Sequence, residues 1–196
     1  MLIAIATFLY VFLYAPIVVV IIYSFNSARY GSGWKGFTTK WYGVLWNNDR
    51  ALDAAWNTLI LACSSTFIAT VVGTLLGFGL SRYHFRGKSL FTWTLFLPVV
   101  IPDIVFAVAL LLFFGLLRDH LGLGNLGMST MIVAHVTFQI PFVALVVRAR
   151  CSGMNRTLEE AARDLGADQW RTFWYVTFPL ILPGIASGAL LAFTMS

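Results

Sequence analysis

Charge is what this chain has least of. Only 11% of its 196 residues are Asp, Glu, Lys or Arg, against 59% hydrophobic. The apolar excess is more than one water-soluble core could hide. Cysteine is scarcer still. Cys63 stands in an apolar run and Cys151 in a polar loop, so neither a disulfide framework nor a metal-ligand pattern is offered, and redox chemistry is excluded as a theme. The net charge of +5 is modest. Its Lys and Arg residues are spread through short loops with no aromatic-interleaved soluble domain around them, which sets nucleic-acid binding aside. No G-x-S-x-G occurs, Ser129 and Ser152 have no base partner in sequence context, and no phosphate-binding loop is present. A membrane enzyme and an ATP-hydrolysing chain both fit poorly.

What is there instead is a series of long apolar runs, and a helix crossing the hydrocarbon core needs about 20 such residues. Four complete runs cover residues 3–24, 55–80, 90–117 and 128–147, and a fifth covers 176–196. The fold class is all-α, a polytopic helical membrane protein with a single transmembrane domain over residues 1–196. The fifth run is still apolar at Ser196, so a continuation of the chain is expected. The first run has no basic n-region and no small-residue cleavage site, and it reads as a retained span rather than a signal peptide.

The loop 81–89 carries Arg82, Arg86 and Lys88 without an acid, and the loop after the fourth run carries Arg148, Arg150, Arg156, Arg163 and Arg171. The positive-inside tendency assigns both loops, and with them the N-terminus, to the cytoplasm. Arg29, Lys35, Lys40 and Arg50 then lie on the outer side. Tyr30, Trp34, Trp41 and Tyr42 cluster in that outer loop, either as an interfacial aromatic belt or as a contact for a substrate or a docking protein.

Ser65, Ala69, Gly73 and Gly77 recur every four residues, as do Gly184, Gly188, Ala192 and Ser196. Each series makes a narrow ridge against which another backbone packs closely. Asp103 follows two prolines in L-P-V-V-I-P-D, about 20 Å along the third run at 1.5 Å per residue, past the bilayer middle. Pro98 and Pro102 interrupt the helix there. The carboxylate then serves as a cap for the restarted half, as a negative group lining a water-filled cation path, or as both. His135 and Gln139, four apart ahead of Pro141, share a helix face. Without further ligands at metal spacing, an interhelical hydrogen-bonding role is expected.

The stretch T-L-E-E-A-A-R-D-L-G-A-D-Q-W is polar and helical. Thr157 and Glu160 have capping-box spacing, Glu159 and Arg163 pair four apart, and Leu158, Ala161, Ala162 and Leu165 form an apolar face. Gly166 ends the helix and Asp168 caps the next. A helix, sharp turn and helix of this composition reads as a docking element for another protein.

Glu160, Ala161, Ala162 and Gly166, followed by Val176 and Phe178-Pro179, resemble the EAA loop of ABC-importer permeases, with Phe178 where Leu is usual. L-Y-A-P-I-V-V-V, G-F-T-T-K-W-Y, R-Y-H-F-R-G-K, I-P-D-I-V and H-V-T-F-Q-I-P-F-V extend the likeness to the C-type permeases of spermidine/putrescine importers. The resemblance implies a type I importer (MetI-like) architecture in the bacterial inner membrane, with an acidic pair and a sixth span beyond Ser196. It implies a coupling helix at 157–166 in which Glu160, Ala161, Ala162, Asp164 and Gly166 meet a cytoplasmic ATPase. The implied partners are an ATP-binding subunit dimer, a second homologous permease, an extracytoplasmic substrate-binding protein and membrane lipid. No cofactor is expected in this chain, with ATP and magnesium on the partner ATPase. The candidate substrate path comprises Asp103, Trp41 and Ser196. Alternatives are a secondary cation transporter or channel, which would share the small-residue packing and the intramembrane acid, a non-transport scaffold, and an ABC importer for ferric ion or an amino-acid derivative.

Overall fold

The computed structural model describes residues 2–29, 33–122 and 126–196; Tyr30 of the outer aromatic cluster lies outside the described residues. The chain forms two compact units, residues 1–57 and 58–196.

In the first unit, α1 (Leu2–Ser24) is apolar on every face, the composition of a membrane span, and it continues through Pro16. The following loop folds around one side chain. Asn26 is buried; its Oδ1 accepts the Lys35 and Ala28 amides at 2.9 and 3.2 Å, and its Nδ2 donates to the Gly33 carbonyl at 2.7 Å. Asn26 and Phe37 form an antiparallel bridge, and the Phe25 and Phe37 rings stack at 5.3 Å. The short helix α2 (Lys40–Trp46) is pegged to this loop: Trp41 Nε1 donates to the Asn26 carbonyl at 2.9 Å, and Tyr42 Oη shares a hydrogen bond of 2.7 Å with Ser24 Oγ. Helix α3 (Asp49–Arg82) starts in this unit and passes into the second.

The second unit is organised on α6 (Met128–Ser152). On the α3 side, Ser65, Ala69, Gly73 and Gly77 are all buried, as the four-residue spacing predicts. A methyl group added at Gly77 would lie 2.4 Å from the Ala144 carbonyl oxygen, and one at Gly73 would lie 2.7 Å from Val143 Cβ. Helix α9 (Phe178–Thr194) packs on α6 through Gly184, Gly188 and Ala192, with Val143 and Arg150 as the facing residues. Backbones this close gain dispersion contact along their length, which is what holds helices together where lipid removes any hydrophobic preference.

The run 90–117 is not one helix. It divides into α4 (Lys88–Val100) and α5 (Asp103–Leu121), with Ile101 and Pro102 extended between them. Pro98 is accommodated inside α4. The break comes from Pro102, whose ring drives the preceding residue out of the helical region, and Ile101 has ψ 133°. Asp103 does not cap α5 with its side chain; the first amides, of Val105 and Phe106, bond the Pro102 carbonyl at 2.9 and 3.1 Å. A carboxylate in the first turn is still placed favourably for the helix dipole.

After α6, α7 (Thr157–Asp164) and α8 (Gln169–Thr172) form the expected helix, turn and helix, and a π-helical turn (Phe173–Thr177) joins α8 to α9. Thr157 and Glu160 do not form a capping box. Asn155 Oδ1 accepts the Thr157 amide at 3.1 Å and takes the capping role two residues earlier. Glu159 is not paired with Arg163; it turns inward, as described below. Gly166 behaves as expected: with φ +88° it closes a Schellman motif, its amide bonding the Arg163 carbonyl and that of Ala167 the Ala162 carbonyl. Asp168 caps α8 by accepting the Arg171 amide at 2.7 Å.

Candidate functional site

Two places in the second unit gather polar groups that the packing alone does not need. The first is a cavity of about 570 Å³ between α5 and α6, lined by Asp103, Phe106, Thr130, His135, Phe138 and Met195 among others. Its depth follows from its neighbours. Arg148, near the end of α6, donates to Thr92 of α4 at 3.4 Å, and Leu95 packs on Ala144. Phe106 of α5 meets Phe138 at 5.7 Å between ring centroids, while Phe114 and Gly127 share the far end of the cavity. Helices α4 and α5 therefore run in sequence down one side of α6. Asp103 sits near mid-height, although α5 alone has the length and apolarity of a span. Asp103 lines the cavity, and among the described residues its carboxyl has no hydrogen bond or ion pair within the chain.

Beside the cavity runs a chain of hydrogen bonds. Gln139, fully buried, donates to the Ala192 carbonyl at 3.1 Å and to Ser65 Oγ at 3.4 Å; Ser65 Oγ and Ser196 Oγ lie 3.2 Å apart, and Ser196 Oγ lies 3.3 Å from His135 Nδ1. The shared face of His135 and Gln139 thus serves interhelical bonding, as its spacing suggested. Ser196 stands behind His135 rather than on the cavity wall. Ser65 was legible only as a small ridge residue, and its hydroxyl is the joint between α3, α6 and the end of α9. Trp41 belongs to the first unit, where its indole N–H is used by the Asn26 carbonyl and Lys40 Nζ lies 4.6 Å above its ring. The structure brings Asp103 and Ser196 to one neighbourhood, each near His135, while Trp41 lies on α2 of the first unit.

The second place is α7. Leu158, Ala161 and Leu165 are exposed, as are Glu160 and Asp164, so the apolar stripe expected on this helix points away from its own chain. Ala162 is half-buried. Glu159 is the buried residue of the helix. Its Oε1 accepts from the Arg82 guanidinium and, at 2.7 Å, from Thr177 Oγ1. This contact brings the end of α3 and the start of α7 to the same side, and the Arg148–Thr92 bond adds the start of α4. The two basic loops therefore share one face, as their charge requires. Arg82 stood out in the sequence only as a loop charge and Thr177 not at all, because Glu159 lies 77 positions from the first and 18 from the second and no local spacing marks either contact.

Residues 69–196 match the family of binding-protein-dependent transport system inner membrane components. The chain belongs to this family. It is a multi-pass inner-membrane permease subunit. The permease is 43% identical over 190 residues to the spermidine/putrescine transport system permease protein PotC of Escherichia coli strain K12, covering 97% of this chain and 70% of that protein. It is 40% identical over 189 residues to the putrescine transport system permease protein PotI of the same strain, covering 95% and 67%. A molybdate/tungstate transport system permease protein, WtpB of Pyrococcus abyssi, is 35% identical over 143 residues, covering 72% and 54%. Among solved structures, a bacterial ABC transporter involved in the import of the acidic polysaccharide alginate superposes with a TM-score of 0.71 at 19% identity, covering 98% of this chain and 70% of that one, a likeness of fold. A bacterial alginate ABC transporter in complex with an alginate pentasaccharide-bound periplasmic protein superposes with a TM-score of 0.70 at 20% identity, covering 98% of this chain and 69% of that one.

Proposed function

We propose that this permease forms half of the translocation pathway of an ATP-driven polyamine importer, with spermidine or putrescine as cargo. The observation that carries the coupling half of this reading is α7. It is capped by Asn155, stopped by Gly166 in a left-handed conformation, and presents Leu158, Ala161 and Leu165 outward beside Glu160 and Asp164. An exposed apolar row on a short polar helix is the shape of a helix that lies in a partner's groove. The partner is the cytoplasmic ATPase dimer, which supplies ATP and magnesium, and a second related permease completes the pathway. The basic face that holds α7 is cytoplasmic, and so is the N-terminus. ATP-driven closure moves the coupling helices together and turns the intramembrane cavity from inward-facing to outward-facing. An extracytoplasmic binding protein delivers the substrate.

The choice of cargo rests on two supports. Relatives whose names specify spermidine and putrescine match almost the whole chain at 43% and 40% identity. The cavity offers an unpaired carboxylate, Asp103, beside the faces of Phe106 and Phe138, a setting that favours ammonium groups over oxyanions. Purification of the tagged, full-length protein in mild detergent tests the assembly. An ATPase and a related permease in the eluate, with spermidine-stimulated ATP hydrolysis after reconstitution, is the expected result. A chain that elutes alone or with copies of itself overturns the importer reading in favour of a secondary transporter or channel.

A further inference from the structure

The attachment of α7 to the rest of the permease is made by charge. An amphipathic helix ordinarily docks by its apolar stripe, but here Leu158 is 48% exposed and Leu165 90%, while Glu159 is 8% exposed. Apolar contact is non-directional and lets a helix slide, whereas a charge-assisted hydrogen bond fixes distance and direction. Glu159 Oε1 holds two such bonds, one from Arg82 and one from Thr177. Arg82 is the last residue of α3, and Thr177 is the last residue of the π-helical turn that leads into α9. Both helices lock onto α6 through glycines a few turns further into the membrane, at Gly73 and Gly77 on one and Gly184 and Gly188 on the other. Phe78 packs beside the junction, its ring 5.6 Å from the Arg82 guanidinium and edge-on to Phe173 at 5.9 Å. A displacement of α7 therefore passes through one carboxylate into the two helices that flank α6. Helix α9 ends beside Met195, which lines the cavity with His135, while Ser196 is bonded to His135 from behind the wall.

We infer that Glu159, Arg82 and Thr177 form a strut that positions the coupling helix and carries its movement to the walls of the translocation cavity. The inference rests on the proposed role of α7 and assigns the mechanical link within that role. Glu159 and Arg82 are positioning residues; neither lines the substrate cavity. A buried ion pair is a poor source of stability compared with apolar packing, and its best-attested use is to fix register. Here the register is that of α7 against α3 and α9. The π-turn adds to this, since such turns concentrate at functional positions and this one ends on the residue that bonds Glu159.

The test uses the full complex reconstituted in liposomes, with spermidine uptake and ATP hydrolysis measured together. Glu159→Gln is expected to co-purify with the ATPase in normal amount and to keep basal hydrolysis, while spermidine taken up per ATP falls by about tenfold. Thr177→Val, which removes one hydroxyl at constant shape, is expected to lower the same ratio by about threefold. Glu159→Arg alone abolishes coupling, and the exchanged pair Glu159→Arg with Arg82→Glu restores a substantial part of it. Wild-type ratios in both Glu159→Gln and Thr177→Val overturn the strut, as does an exchanged pair no better than Glu159→Arg. If Glu159→Gln fails to assemble, the Thr177→Val ratio decides alone. A wild-type preparation with no ATPase bound or stimulated removes the importer reading itself, which is a different failure from coupled variants.

Discussion

Gly77 and Gly79 lie two residues apart in the same helix, and replacing each with alanine separates backbone propensity from interhelical packing. Either substitution removes a glycine from a helix interior, a gain of about 0.5–1 kcal/mol common to both. At Gly79 an added methyl meets nothing within 4 Å. At Gly77 it would sit 2.4 Å from the Ala144 carbonyl oxygen and 3.1 Å from the Ala144 Cα and carbonyl carbon, and ordinary contact begins at 3.4 Å. Restoring that distance moves α3 away from α6 by about 1 Å, a gap that forfeits a quarter to a half of each dispersion contact along the seam. The obstacle is backbone, so no rotamer change relieves it. The difference between the two variants is then the overpacking cost alone, about 1–3 kcal/mol in favour of Gly79→Ala. For a chain of this size each kcal/mol shifts the midpoint by about 2–4 °C, which gives a separation of about 2–12 °C in a thermal unfolding assay of the detergent-purified permease. Equal midpoints for the two variants would refute the packing of α3 on α6 through a glycine ridge.

Three further substitutions probe other parts of the molecule. Asn155→Ala removes the cap of α7 and, at about 0.5–2 kcal/mol for a lost N-cap, speeds amide exchange in that helix about 2- to 30-fold, whereas Thr157→Ala leaves it unchanged; the reverse ranking would restore the capping box. Gly166→Val forces a β-branched residue to φ +88°, which costs at least about 1–2 kcal/mol, and is expected to abolish substrate stimulation of ATP hydrolysis in the reconstituted complex; normal stimulation counts against the turn as a coupling element. Asp103→Asn keeps the shape of the cavity and removes its charge, with assembly intact and spermidine uptake lowered by about tenfold; unchanged uptake would sink the role of the carboxylate.

The apolar runs made the helices legible because a bilayer demands both length and composition of a span, and the same spacing argument located the ridges at Gly73 and Gly77 and at Gly184 and Gly188. Gly166 was legible for a related reason, since a residue that must take positive φ has few candidates. What escaped were choices between neighbouring groups with similar chemistry. Thr157 and Asn155 both offer a side-chain oxygen at the start of α7, and the turn after Gly153 decides in favour of Asn155. Glu159 and Glu160 are adjacent acids, and only the fold shows that the first turns toward Arg82 and the second toward the open side. At the break between α4 and α5 the sequence offered two prolines. Pro98 stays within α4, while Pro102 breaks the helix by displacing Ile101.

The same separation explains how a permease can be rigid where it packs and specific where it couples. In lipid, apolar side chains gain little by choosing protein over hydrocarbon, so close-packed glycine seams supply cohesion, and hydrogen bonds between helices supply register. Among the interhelical hydrogen bonds, two sets reach toward both α3 and α9. Near the middle of α6, Gln139 ties that helix to Ser65 of α3 and to the Ala192 carbonyl of α9. At the basic face, Glu159 ties α7 to the end of α3 through Arg82 and, through Thr177, to the π-turn that leads into α9. Helices α3 and α9 are thus each pinned to a polar group at two heights with a glycine seam between. A pull on α7 is then shared by both helices rather than absorbed by bending one, and it arrives at the level where His135 and Met195 line the cavity.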